Sequence, residues 1–128
     1  MQLEHVAVIV ADAEAVADWY CRHLQMRVVR QGPAPARMHF LADSSGRVVL
    51  EIYHMPADQV PDYGAMHPLV LHLAFATGDA AGTHQRLVEA GATALGGVGA
   101  NDTGDVMAML RDPWGLAIQL CQRLEPMA

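Results

Sequence analysis

The chain contains no lysine; its eight basic residues are all arginines, scattered singly from Arg22 to Arg123. A phosphate backbone needs clustered Lys and Arg, and the net charge of −6 adds repulsion. Nucleic acid is therefore excluded as a main partner. Cysteine is scarce too. Cys21 and Cys121 make neither a disulfide framework nor a spaced metal motif. Cys21 falls in a helical pattern and Cys121 in a strand, so both read as buried thiols behaving like small apolar groups. No apolar run is long enough to span a membrane. The N-terminus carries Glu4 and Asp12 without a basic flank, unlike a signal peptide. The expectation is a cytoplasmic protein.

What is present is a globular composition, 52% apolar over 128 residues, enough for one compact domain with a real core. The chain also repeats itself. LEHVAVIVADAEAVADWYCRHL near the start is answered by LVLHLAFATGDAAGTHQRLVEAG, and VVLEIYH is answered by GLAIQLCQR. His5 matches His72 and Glu51 matches Gln119, at nearly the same offset of about half the chain. Each half thus offers one imidazole and one oxygen donor, which is how two small units could build one metal site.

Residues 2–10 alternate around Val and Ile and predict a strand. Asp12 is placed to cap a helix whose apolar positions include Val16, Ala17 and Tyr20. Three short strands are expected near 26–31, 36–42 and 47–54, with Asp43-Ser44-Ser45-Gly46 as the last turn. The second half predicts a strand over 69–77, a helix from Gly78-Asp79 to Ala90 ending at Gly91, and strands near 92–98, 105–111 and 115–123. Asp112-Pro113-Trp114-Gly115 makes the final turn. The expected organisation is a single domain over 1–128. Its repeat units are about 1–55 and 69–123, joined by an irregular Pro-containing linker over 56–68.

Side chains alternate faces along a strand, so candidate ligands should oppose the helix-packed face. Val6, Val8 and Val10 oppose His5 and Ala7. Val48, Leu50 and Ile52 oppose Glu51 and Tyr53. Leu71, Leu73 and Phe75 oppose His72 and Ala74, while Leu116, Ile118 and Leu120 oppose Gln119 and Cys121. Each time the bulky aliphatics hold one parity and the donor the other, as a layer with helices on one face and a cavity on the other requires. Arg37 and His39 are expected to share a strand face that reaches this cavity, Arg37 to bind an anionic substrate and His39 to move a proton. Met107 and Met109 are expected to line a pocket or fill the core, Tyr53 to hydrogen-bond a ligand, and Trp114 to form a rim. His23, His54, His67 and His84 are assigned to surface or loops.

The strand-one His of each unit, the WYCRHL segment, LEIY and the DPWG turn resemble the vicinal oxygen chelate superfamily. This superfamily includes glyoxalase I, bleomycin-resistance proteins, extradiol dioxygenases and methylmalonyl-CoA epimerase. The resemblance covers the chain from LEHVAVIV to DPWGLAIQL. It implies an α+β fold of two tandem βαβββ units forming an incomplete curved-sheet barrel, often completed by dimerisation, so a homodimer is expected. It also implies metal ligands at His5, Glu51, His72 and Gln119, suited to a divalent Zn, Ni, Co, Mn or Fe. Open coordination positions would hold water or chelate two adjacent substrate oxygens, and any base would have to be Glu51, His39 or a metal-bound hydroxide.

Two departures bear on function. Glyoxalase I, the epimerase and the dioxygenases generally place Glu where Gln119 stands, and an amide takes no proton at neutral pH. Glyoxalase I also carries Arg and Asn four residues after its first two ligands, where this chain has Ile9 and Met55, so glutathione is not the expected substrate. The resemblance implies a metal-dependent lyase or isomerase acting on a small vicinally oxygenated molecule by enolate chemistry. A metal-free, antibiotic-sequestering binding protein is the alternative, and a ring-cleaving dioxygenase ranks last.

Overall fold

A computed structural model describes residues 1–47 and 49–127, and the chain divides into two compact units, Met1–Pro61 and Asp62–Ala128. In the first unit the β-branched run VAVIV forms β1 (Val6–Val10). Asp12 then caps α1 (Ala13–His23), its carboxylate accepting from the Ala15 N–H at 3.0 Å. Three strands follow: β2 (Arg27–Gln31), β3 (His39–Ala42) and β4 (Val49–His54). They assemble in the order β1-β4-β3-β2, with β1 parallel to β4 and the other pairs antiparallel. Val16, Ala17 and Tyr20 of α1 are at most 2% exposed, as are Leu41 and Ile52 on the sheet. Each large side chain buried there contributes about 1.5–3 kcal/mol.

The second unit repeats the pattern with β5 (His72–Ala76), α2 (Ala80–Glu89), β6 (Thr93–Ala94), β7 (Gly99–Ala100), β8 (Val106–Arg111) and β9 (Ala117–Gln122). Asp79 caps α2 through the Gly82 N–H at 2.8 Å, and Gly91 ends it at φ +103°. The sheet order β5-β9-β8-β6 mirrors the first unit, again with first and last strands parallel. Leu87 packs with Leu110, Ile118 and Leu120 as its core, all at most 1% exposed. Neither sheet closes on itself, and the architecture is the α+β fold of two βαβββ units expected from the resemblance. Among the described residues no helix is long and apolar enough to cross a membrane.

Three boundaries differ from expectation. The strand expected over 36–42 begins only at His39, because Pro33 to Ala36 turn back on themselves and the Arg37 N–H closes on the Pro33 carbonyl at 3.0 Å. The strand expected over 92–98 shortens to β6, since Gly96 turns the chain at φ +84°, and a separate short strand, β7, begins at Gly99. The strand expected over 69–77 begins at His72, after a turn in which the Val70 N–H reaches the His67 carbonyl at 2.9 Å. Val48, counted with the bulky side of the fourth strand, lies outside the described residues.

Candidate functional site

Residues facing one another across a ladder present their side chains to the same face. In the first unit Ala7 faces Glu51, and Glu51 faces Phe40. That row lies opposite the core row of Val8, Ile52 and His39. His5 stands two residues before Ala7 and so on the Glu51 face. Its Nε2 lies 3.3 Å from Glu51 Oε2, while its Nδ1 is 2.9 Å from the Glu4 carboxylate. A ring nitrogen that donates to a carboxylate fixes the tautomer and leaves the other nitrogen as a lone-pair donor. Two donors each about 2.0–2.1 Å from one tetrahedral ion would stand roughly 3.3 Å apart, so the His5–Glu51 pair fits a divalent metal.

The second unit builds the same diagonal. Ala74 faces Gln119, and His72 stands two residues before Ala74. His72 Nδ1 donates to the Pro68 carbonyl at 3.0 Å, which again leaves Nε2 as the lone-pair donor. Gln119 Oε1 accepts from the Cys121 thiol at 3.7 Å. Burial pushes the Cys121 thiol above its ordinary range, so it stays protonated as a donor near neutral pH. Met109 faces Gln119 and Met107 faces Cys121, so both thioethers stand on the Gln119 face. Each unit presents two donors, and among the described residues no group of three or more His, Cys, Asp and Glu could hold a metal ion.

The remaining candidates are placed as follows. Tyr53 faces Ile9 and shares the Glu51 face, half-buried. Trp114 sits at the tip of the β8–β9 hairpin and is 37% exposed. Its turn is held by Asp112, whose carboxylate accepts from the Trp114 and Leu116 N–H groups at 2.9 Å.

The shared face expected for Arg37 and His39 is not formed. Arg37 precedes the strand at φ +42°, with its guanidinium 3.8 Å from Glu14. His39 faces Ile52 on the helix side, 7% exposed, with Nδ1 2.7 Å from the Arg37 carbonyl. It cannot act beside Glu51 through the sheet. Cys21, expected to be buried, is only half-buried.

Sequence reasoning missed Phe40, Arg30 and Glu4. Phe40 occupies the next rung to Glu51 and meets the His5 ring edge-on at 5.5 Å between centroids. Arg30 faces Phe40 one strand further on, and Glu4 orients His5. The alternation of Phe40 against Leu41 carried the signal. It was masked because the polar residue of that strand, His39, is the one that faces the core.

Comparison with known proteins agrees with the fold. Residues 2–120 match the family model of the Glyoxalase/Bleomycin resistance protein/Dioxygenase superfamily. No protein of curated function matches the sequence. Among solved structures, a glyoxalase family protein from Enterococcus faecalis is 28% identical, with a TM-score of 0.73 over 94% of this chain and 97% of that one. The antibiotic binding protein TnmS3 from a Streptomyces species is 23% identical, with a TM-score of 0.70 over 95% of both chains. A glyoxalase I variant from Zea mays is 22% identical, with a TM-score of 0.76 over 97% of this chain and 46% of that one.

Proposed function

Since the chain belongs to the Glyoxalase/Bleomycin resistance protein/Dioxygenase superfamily, we propose that it is a metal-dependent lyase or isomerase acting on a small molecule with two adjacent oxygens. The observation that carries this reading is the matched donor pair of each unit. Both imidazoles are held by Nδ1, His5 by Glu4 and His72 by Pro68. Held this way, each turns a lone-pair nitrogen toward the face that carries Glu51 or Gln119. The proposed ligands of a divalent ion, Zn, Ni, Co, Mn or Fe by donor type, are His5, Glu51, His72 and Gln119. When bound, the ion supplies Lewis acidity that stabilises negative charge on a substrate oxygen.

The chain's own residues then divide the remaining work. Glu51 is the proton-moving group, because Gln119 is an amide and holds no exchangeable charge. Gln119 donates its oxygen and is kept in that orientation by the Cys121 thiol. Phe40, Met107 and Met109 give the ligand an apolar surface, and Tyr53 offers a hydroxyl on the Glu51 face. The functional form is proposed to be a homodimer.

A second reading is favoured by Gln119 itself. A site without a carboxylate in its second unit, floored by Met107 and Met109, also suits a protein that sequesters an apolar compound without turning it over. Metal content measured by elemental mass spectrometry, on protein prepared without chelator or histidine tag, separates the two. Near-stoichiometric metal that disappears in His5→Ala/His72→Ala supports the enzyme. No metal after incubation with Zn, Ni, Mn and Fe(II), with ligand binding intact in the double variant, would leave the binding protein as the better account.

A further inference from the structure

Five of the eight arginines are engaged by other groups: Arg22 by Asp18, Arg37 by Glu14, Arg86 by Thr83, Arg123 by Asp105, and Arg111 by three backbone carbonyls. Arg30 is not. It has no hydrogen-bond or ion-pair partner among the described residues, and it is exposed on the edge strand β2. Its position is specific. The rungs Ala7–Glu51, Glu51–Phe40 and Phe40–Arg30 form one continuous row across all four strands on the ligand face. Arg27 faces Ala42, and Ala42 faces Val49, so the Arg27 side chain leaves the strand on the same face, with its guanidinium reaching the Gly46 turn.

Resting on the reading that the Glu51 face binds the ligand, we propose that Arg30, supported by Arg27, recognises an anionic group at the far end of that ligand. The ligand class is then a planar, conjugated carboxylate bearing two adjacent oxygens. Its oxygens lie at the His5–Glu51 end, its flat body crosses Phe40, and its carboxylate reaches β2. Strands two apart are separated by roughly 10 Å, which sets the length of such a molecule. A guanidinium fork matches a carboxylate through two parallel hydrogen bonds.

The second unit supports the assignment by contrast. Its equivalent row is Ala74, Gln119 and Met109, and its β6 and β7 contain only Thr93, Ala94, Gly99 and Ala100. Among the described residues, repetition built the same donor diagonal twice but placed unengaged cations beside only one of them. In a chain of net charge −6, that asymmetry focuses positive potential at one end of one ligand face. The competing role for Arg30 is an edge guard that discourages strand pairing, and such a role is indifferent to the ligand.

The test compares caffeate with its methyl ester, two catechols that differ in one negative charge, by isothermal titration calorimetry on protein with and without one equivalent of zinc. Caffeate is expected to bind wild type at least about tenfold tighter than the ester. In Arg30→Gln the two are expected to bind within twofold of each other, with ester affinity and zinc stoichiometry unchanged. Equal binding to wild type, or a carboxylate preference that survives in Arg27→Gln/Arg30→Gln, overturns the proposal, as does absence of binding by both compounds in both forms. Failure of zinc to bind ends only the metal reading. An Arg30-dependent preference in the zinc-free arm still supports the anion site.

Discussion

Gln119 and Glu51 hold the same place in their units and differ by one functional group, and of the two only the carboxylate of Glu51 can take up a proton near neutral pH. The amide oxygen accepts from the Cys121 thiol, whose protonated form burial favours. Glu51 instead stands 3.3 Å from His5 Nε2, with its side chain 13% exposed. A different acid, Asp105, ties down the end of the chain. It accepts from the Leu124 N–H at 3.0 Å and pairs with Arg123 at 2.9 Å. The Leu124 bond holds its carboxyl below the usual range; burial opposes it, and the charge and hydrogen bond of Arg123 add lesser lowering effects. A folded-state pKa that is depressed contributes stability above the unfolded value, and that stability is lost as pH falls through the folded one. Asp105→Asn should therefore lower the thermal midpoint at pH 7. The gap to wild type should stay constant above about pH 4 and close below it, as followed by circular dichroism from pH 7 to 2.5.

At the scale of the element, the β8–β9 hairpin shows how a turn can leave its chain neighbours no latitude. Gly115 has φ +95°, and an added Cβ would stand 2.8 Å from the Gly64 nitrogen. Arg111 draws the same 63–66 segment in through the carbonyls of Tyr63 and Met66, each at 2.8 Å. Gly115→Ala should cost about 1–3 kcal/mol or more in urea unfolding, from backbone strain and the displaced segment together. Gly97→Ala, where an added Cβ meets nothing within 4 Å, should stay within about 0.5 kcal/mol. Much of this element structure is written locally. Asp12 and Asp79 announce their helices, and the parity of Val8, Leu50 and Ile52 against Glu51 follows from alternation alone. What escapes is set by distant partners. His39 looks like a site residue until its rung with Ile52 turns it inward. Neither the Pro68 carbonyl on His72 nor the Glu4 carboxylate on His5 has any pattern that periodicity would register. The break in the strand expected over 92–98 is legible in Gly96-Gly97, but its position is not.

For the whole molecule, a ligand that binds only the folded state stabilises it by mass action, by about 2.7 kcal/mol at a hundredfold excess over Kd. On the metal-dependent reading, zinc should raise the thermal midpoint of the wild type by several degrees and leave that of His5→Ala/His72→Ala unmoved. Differential scanning calorimetry, with and without zinc, checks both. The pairing of first and last strands has another consequence, one that belongs to synthesis. Among the described residues β1 has β4 as its sole neighbour in the sheet, and β4 ends 44 residues after β1 does (54 − 10 = 44). At about 5–20 residues per second, the ribosome leaves VAVIV without its partner for roughly 2–9 s. An uncharged, β-branched run of that kind is prone to pair with other nascent chains. The acids that bracket it, Glu4 and Asp12, act as gatekeepers during that interval, before one turns to orienting His5 and the other to starting α1.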